Sequence, residues 1–275
     1  MGLWNNDANI MLVAGHRGAR VGWPENTLPA FRHAIDIGCD MIETDIRQTK
    51  DHQLVLMHDA RVDRTTDGTG FVCDYALADF RRLNAAAHVD GFSFECPPTL
   101  DELLELTAET PSLLLNLELK DYPDVEGEDW AYETADKTIE AVEKHGLGGR
   151  IVLNSFSGKL LKHIHDRYGR RYPLHGFFPY FYLGQDCGQP ETYLDCACLF
   201  YAEKQPDGKI RSLGGEVCPA DWYDALIERG IEPWIGAGVK RFDDLKLSFE
   251  RGARLITTDN PDETLDFLRQ MGHHN

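Results

Sequence analysis

The sequence predicts an α/β chain closed as a (β/α)8 or TIM barrel, and three observations carry that reading. Strand-like and helix-like segments alternate almost throughout; with one irregular stretch set aside they make close to eight pairs; and a length of 275 residues suits a barrel, whose usual size is roughly 250. A doubly wound open sheet is the competing arrangement, but no glycine-rich dinucleotide fingerprint follows the first strand.

Met11-Leu-Val-Ala-Gly15 reads as a first buried strand leading into His16-Arg17-Gly18 and a turn rich in Gly and Pro. From Thr27 to Ile37 the residues Leu28, Phe31, Ala34 and Ile35 fall at helical spacing, with Gly38 placed to stop the helix. Met41–Ile46 is a second strand, and Gln53–Met57 a further extended segment after the polar turn Lys50-Asp51-His52. Residues 59–98 break the rhythm and are expected to form an inserted cap with little core of its own, within a single domain spanning 1–275. Thr99 and Glu102 then spell a capping box for a helix whose buried face is Leu100, Leu103, Leu104 and Leu106. Strands are expected at 112–118, 150–154, 172–178, 196–201, 232–235 and 254–257. Helices are expected at 129–144, 159–167, 220–229, 242–251 and 261–268.

The formal net charge of −18, from 46 acidic against 28 basic residues, argues against nucleic acid or anionic membrane as a partner. A phosphate-bearing ligand must therefore be attracted locally. No apolar run is long enough to cross a bilayer, and the N-terminal stretch 1–7 lacks the basic and apolar regions of a leader. The seven cysteines have none of the paired spacings of a zinc site and read as free thiols in a reducing cytoplasm.

In a barrel, reactive groups gather at the C-terminal ends of strands, and this chain places its ionisable residues there. His16 and Arg17 follow the first strand, Glu43 and Asp45 end the second, His58 ends the next extended segment, and Glu118 and Lys120 end the third. Side chains two apart on a strand share a face, so Glu43 and Asp45 can converge on one cation. Carboxylate oxygens suit a hard ion such as Mg²⁺ or Ca²⁺. Two histidines can divide proton acceptance and donation, while Arg17 and Lys120 can hold a phosphoryl oxygen. Metal, acid, base and anion clamp together indicate phosphoryl transfer or phosphoester hydrolysis.

His16-Arg-Gly18, Pro24-Glu-Asn-Thr27, Glu43-Thr-Asp45, His58-Asp59, Arg64-Thr-Thr66, Glu118-Leu-Lys120 and Thr257-Thr-Asp259 together resemble the ordered signature of the glycerophosphodiester phosphodiesterases. The resemblance implies a barrel with a small insertion, a divalent cation on Glu43, Asp45 and Glu118, His16 and His58 as the acid/base pair, and Arg17 and Lys120 near the phosphate. It implies cleavage of glycerophosphocholine, glycerophosphoethanolamine or similar small molecules to sn-glycerol 3-phosphate and an alcohol, by way of a cyclic phosphate or by direct attack of water. Where relatives carry an aromatic-threonine-valine-asparagine run, this chain reads Pro233-Trp-Ile-Gly-Ala-Gly238; Trp234 is still expected to form a wall of the site.

Some residues admit more than one role. Glu25 either touches substrate or, with Asn26, orders the turn into the first helix. Asp259, two residues before Pro261, reads as an N-cap rather than a catalytic group. His33, His52, His88, His145, His163, His165 and His175 read as structural or exposed, and the aromatic run 177–182 as barrel core leading into a loop. Two other functions stay open: a related barrel phosphodiesterase or lyase releasing a cyclic phosphate, and a non-catalytic barrel that binds metal and ligand. The oligomeric state has no signature in the sequence.

Overall fold

Eight parallel strands close on themselves in the computed structural model, which describes residues 3–4, 7–214 and 217–274. Most of the stretch 1–7, read above for a leader, and Asn275 lie outside the described residues. The strands are β1 (Leu12–His16), β2 (Met41–Gln48), β3 (Leu114–Leu119), β4 (Ile151–Asn154), β5 (Leu174–Phe178), β6 (Cys196–Leu199), β7 (Glu232–Ile235) and β8 (Leu255–Thr258). Each pairs in parallel with the next, and β8 pairs with β1 to complete a (β/α)8 barrel. The helices are α1 (Leu28–Ile37), α2 (Leu100–Ala108), α3 (Glu128–Lys144), α4 (Gly158–Tyr168), α5 (Ala220–Ile227), α6 (Phe242–Glu250) and α7 (Pro261–Met271).

Local chemistry sets several boundaries. Thr99 accepts from the backbone of Glu102 while Glu102 reaches back to Thr99, so both halves of the capping box form. Gly38 ends α1 in the left-handed conformation at φ 97°. Between β5 and β6, Pro179, Gly184, Gly188 and Pro190 interrupt any helical run, and two short 3-10 turns replace a helix. The extended segment after β2 shortens to Leu54–Leu56 and pairs antiparallel with β2 through a tight turn, so it leaves the barrel count unchanged. A second antiparallel ribbon, Ala202–Lys204 with Ile210–Ser212, follows β6 and was not anticipated.

Segment 59–98 contains one 3-10 turn and a single helical turn at Leu77–Phe80. Within it Val62, Val72 and Phe80 pack with Val55 and Met57 of the preceding extended segment, so it has little core of its own.

Alternation along each strand sorts the barrel interior into layers. Leu12, Met41, Leu114, Val152, Trp234 and Leu255 share one apolar cluster inside the barrel. Two to four residues further along the same strands, on the same face, stand His16, Glu43, Asp45, Asn116 and Glu118. The opposite faces of the strands, such as Ile42, Ile46, Leu115 and Leu117, join the larger core beneath the helices. This arrangement leaves a polar layer on top of an apolar plug.

Candidate active site

Glu43, Asp45 and Glu118 converge at the top of β2 and β3, each offering a carboxylate oxygen within 4.8 Å of the others'. All three are buried. Strand register explains the meeting, because Asp45 pairs directly with Glu118 across adjacent strands. Burial together with the neighbouring Asp45 and Glu118 charges pushes the Glu43 carboxyl well above its usual range. Burial also raises Glu118, which Lys120 opposes only in part. For Asp45 burial is outweighed by Lys120, Arg17, His58 and Asn26, which hold it below the ordinary carboxylate range.

Glu43 Oε1 and Asp45 Oδ1 are buried without a hydrogen-bond partner, and of the two Asp45 Oδ1 has an ion-pair neighbour, Lys120 Nζ at 3.3 Å. Crowded carboxylates with unpaired oxygens are costly, and a hard divalent cation would satisfy them. The triad therefore fits a metal.

Cations surround the triad on the protein side. Lys120 Nζ lies 2.5 Å from Glu118 Oε1 and 3.3 Å from Asp45 Oδ1. Burial alone would lower the Lys120 ammonium, but Glu118 and Asp45 raise it above its usual value, so it stays charged. Arg17 donates its backbone N–H to Glu43 Oε2 at 2.9 Å, and its Nε lies 3.2 Å from Asp45 Oδ2. Its φ of 55° is unusual for a non-glycine residue and aims that N–H at the triad. The sharp turn requires Gly18, since a Cβ there would stand 2.7 Å from the Ala30 backbone.

The two histidines have matching supports. His16 Nδ1 donates to Asp259 Oδ1 at 2.6 Å, and His58 Nδ1 to Asp59 Oδ1 at 2.6 Å. Each carboxylate fixes the tautomer and leaves Nε2 free to exchange a proton. Arg47 donates twice to the His58 carbonyl, at 3.1 Å each, fixing its backbone. Burial lowers the His58 imidazole, partly offset by Asp45, so the ring favours the neutral form at pH 7. Asp59 is held at about 2: bonds from Arg64 and His58 outweigh the effect of burial.

These groups open onto a cavity of about 250 Å³ lined by His16, Arg17, Glu43, His58, Glu118 and Lys120 on one side. Phe156, Phe177 and Phe200 line the other side, with Asn116, Asn154 and His175 also in its wall. Seven of the nine site residues expected from the sequence thus reach one neighbourhood, six of them on the cavity surface and Asp45 buried beside them. Glu25 does not line the cavity. It holds Arg17, Arg64 and Arg20 at 2.8, 2.7 and 3.3 Å, an anchor that fixes Arg17 while Asn26 bonds Asp45 Oδ2 at 2.8 Å.

Trp234 does not form a wall of the cavity either. Its ring is fully buried in the lower layer, against Trp4 and His175, and its indole N–H donates to Glu232. It precedes Gly236 by two residues, which in a strand is about 6.6 Å deeper along the same face. Counting back from the strand end would have shown this. Asp259 is likewise not the N-cap of α7. Asn260 caps that helix by accepting from Glu263, and Asp259 turns to His16. His175, read as structural, is buried with Nε2 unpartnered and lines the cavity.

A barrel whose mouth gathers an acidic triad that fits a metal, two carboxylate-supported imidazoles and two cations around one cavity has the groups needed to act on a phosphodiester. The sequence model of the glycerophosphoryl diester phosphodiesterase family matches residues 16–179, and the chain belongs to that family. A glycerophosphodiester phosphodiesterase of Caldanaerobacter subterraneus is 29% identical over 270 residues, covering 95% of this chain and 99% of its own. One from Bacillus altitudinis is 31% identical over 191 residues, 61% of this chain and 74% of its own. Among solved structures, an Oleispira antarctica phosphodiesterase in complex with the product sn-glycerol-3-phosphate aligns with a TM-score of 0.76 at 21% identity, covering 94% of this chain and 97% of its own. Among the described residues no helix is long and apolar enough to cross a membrane.

Proposed function

We propose that the protein hydrolyses small glycerophosphodiesters, such as glycerophosphocholine or glycerophosphoethanolamine, to sn-glycerol 3-phosphate and an alcohol, with Mg²⁺ or Ca²⁺ held by Glu43, Asp45 and Glu118. The observation that carries this is the shared cavity in which the acidic triad, Arg17, Lys120 and two carboxylate-supported histidines face one another. The product bound by the Oleispira antarctica enzyme supports the same reaction class.

In this reading Arg17 and Lys120 grip the non-bridging oxygens by charge-assisted hydrogen bonds and orient the phosphorus. A bound divalent cation would supply Lewis-acid neutralisation of the charge that develops on the phosphoryl group. His58, favoured neutral by burial, accepts at Nε2 the proton of the attacking oxygen, either water itself or a glycerol hydroxyl whose cyclic phosphate a water then opens. His16, backed by Asp259, donates a proton to the departing alcohol oxygen, as a carboxylate-supported imidazolium does. Glu25 and the Arg64 bonds to it and to Asp59 tie segment 59–98 to the site, consistent with that segment acting as a cap within a single domain.

The experiment is a panel of glycerophosphodiesters assayed after EDTA treatment and again with Mg²⁺ or Ca²⁺, with products followed by phosphorus NMR. Turnover that EDTA abolishes and a cation restores, ending in a linear monoester, is expected. A terminal cyclic phosphate would favour a lyase, and full activity in EDTA would overturn the metal-dependent reading.

A further inference from the structure

The catalytic cavity has a neighbour on its aromatic side. Phe200, Gly236 and Gly238 belong both to its wall and to the wall of a second cavity of about 250 Å³. That side cavity continues past Tyr182, Leu199, Tyr201 and Ala202, and no Asp, Glu, Lys, Arg or His is among its described lining residues. The wall joining the two is a stack of rings: Phe156 lies on Phe177 at 3.6 Å and 12°, and Phe177 leads to Phe200 at 5.6 Å and 19°. Phe156 is stacked on Phe177 and already has Lys120 Nζ over its ring, 5.5 Å from the centroid, so the place for a cation at that ring is taken. Such a surface suits hydrocarbon better than a cation, which seeks an open ring face.

The polar arm of a diester has a different place to go. Asn154 Oδ1 and His175 Nε2 are buried, unpartnered and belong to residues lining the catalytic cavity. Asn154 pairs in register with Glu118, and His175 with Asn154, so this neutral row extends directly from the carboxylate triad. Unpaired buried groups of this kind are satisfied by hydroxyls.

We infer that the enzyme prefers diesters whose leaving alcohol is apolar and extended, the glycerol hydroxyls pairing with Asn154 and His175 while the alcohol's hydrocarbon crosses Phe200 and Gly238 into the side cavity. This rests on the phosphodiesterase reading above and names the substrate class for the same site. Gly238 is the residue at which the passage can be closed. A Cβ there would meet nothing within 4 Å, and its φ lies outside the range that strains L-residues, so a larger side chain fits the fold.

The test compares kcat/KM for glycerophosphoethanol, glycerophosphohexanol and glycerophosphocholine in the wild type, in Gly238→Phe and in Ser212→Trp, the latter filling the side cavity from its exposed far wall. The wild type is expected to favour the hexyl over the ethyl ester by about tenfold or more, and both variants to reduce that ratio to about threefold or less. Reading a ratio removes any general loss of activity. A wild-type ratio near one, a ratio unchanged in both variants, or choline preferred over hexanol would each overturn the inference while leaving the hydrolase reading intact. No turnover of any of the three esters would remove both.

Discussion

The two halves of the barrel mouth solve opposite problems. On β1 to β3 the interior tops are charged: Arg17, Glu43, Asp45, Glu118 and Lys120 are all buried, and the triad holds unpaired oxygens. From β4 to β6 the charges give way to the neutral Asn154 and His175 at the level of Glu118, and above them to Phe156, Phe177, Cys198 and Phe200. Ionised groups crowded in a low-dielectric site weaken the folded state unless partnered, yet they can act on a phosphoryl group. Packed rings stabilise the fold and shape a surface but do no proton or charge chemistry. Function in this molecule is therefore concentrated in the half that stabilises it least.

That contrast can be broken by substitution. His58→Ala is expected to lower kcat by about 10²- to 10⁴-fold while the thermal midpoint hardly moves, because the ring is partly exposed and its loss opens no cavity. Phe177→Ala should do the reverse in kind, costing about 3–5 kcal/mol in urea titration, since the ring is buried within the stack. If His58→Ala unfolded the protein, or Phe177→Ala left it as stable as before, the division of labour would be wrong.

Asp259→Asn sharpens the comparison inside the charged half. Removing the carboxylate from His16 Nδ1 should reduce kcat by about 10- to 100-fold, with metal affinity unchanged by calorimetry. A shifted alkaline limb in the pH profile of kcat, with the acid limb in place, would mark its action as passing through His16, the proton donor. A variant as active as the wild type would return Asp259 to a structural role.

The smallest effect concerns His175, the titratable group of the aromatic half. Burial lowers its imidazole to about 3, against 6.5 when unfolded. The unfolded chain therefore binds a proton at a pH where the folded chain does not, and stability falls as pH drops below 6.5, until the folded group itself titrates near 3. Between pH 6.5 and 5 this one residue should cost about 2 kcal/mol. His175→Gln should flatten that part of the stability curve, measured by denaturant midpoints; an unchanged slope would show that other groups govern it.

Much of the site was legible because its residues sit at strand ends with a spacing of two, a pattern that alternation of side chains makes directly readable. Glu43 with Asp45, and Glu118 with Lys120, required nothing beyond that rule. Asp259 and Trp234 depart from their readings although the bounds of their elements were read correctly, β7 spanning Glu232–Ile235 and α7 starting at Pro261. With Pro261 as the first helical residue the cap falls on Asn260, and the level of Trp234 inside the barrel depends on register with the neighbouring strands, which no single stretch encodes.

The sequence by itself determined the alternating elements, the Thr99/Glu102 capping box and the Gly38 stop, the number of barrel strands and the residues of the acidic triad, since all of these follow from local periodicity and from short-range chemistry. Only the tertiary structure decided that Asp259 supports His16 across 243 positions of chain, that Glu25 gathers three arginines, and that Asn154 and His175 extend the row begun by Asp45 and Glu118. Closing the barrel fixes strand register and tilt for all eight strands together. Which distant side chains become neighbours is a property of that closure and is written in no single stretch of the chain.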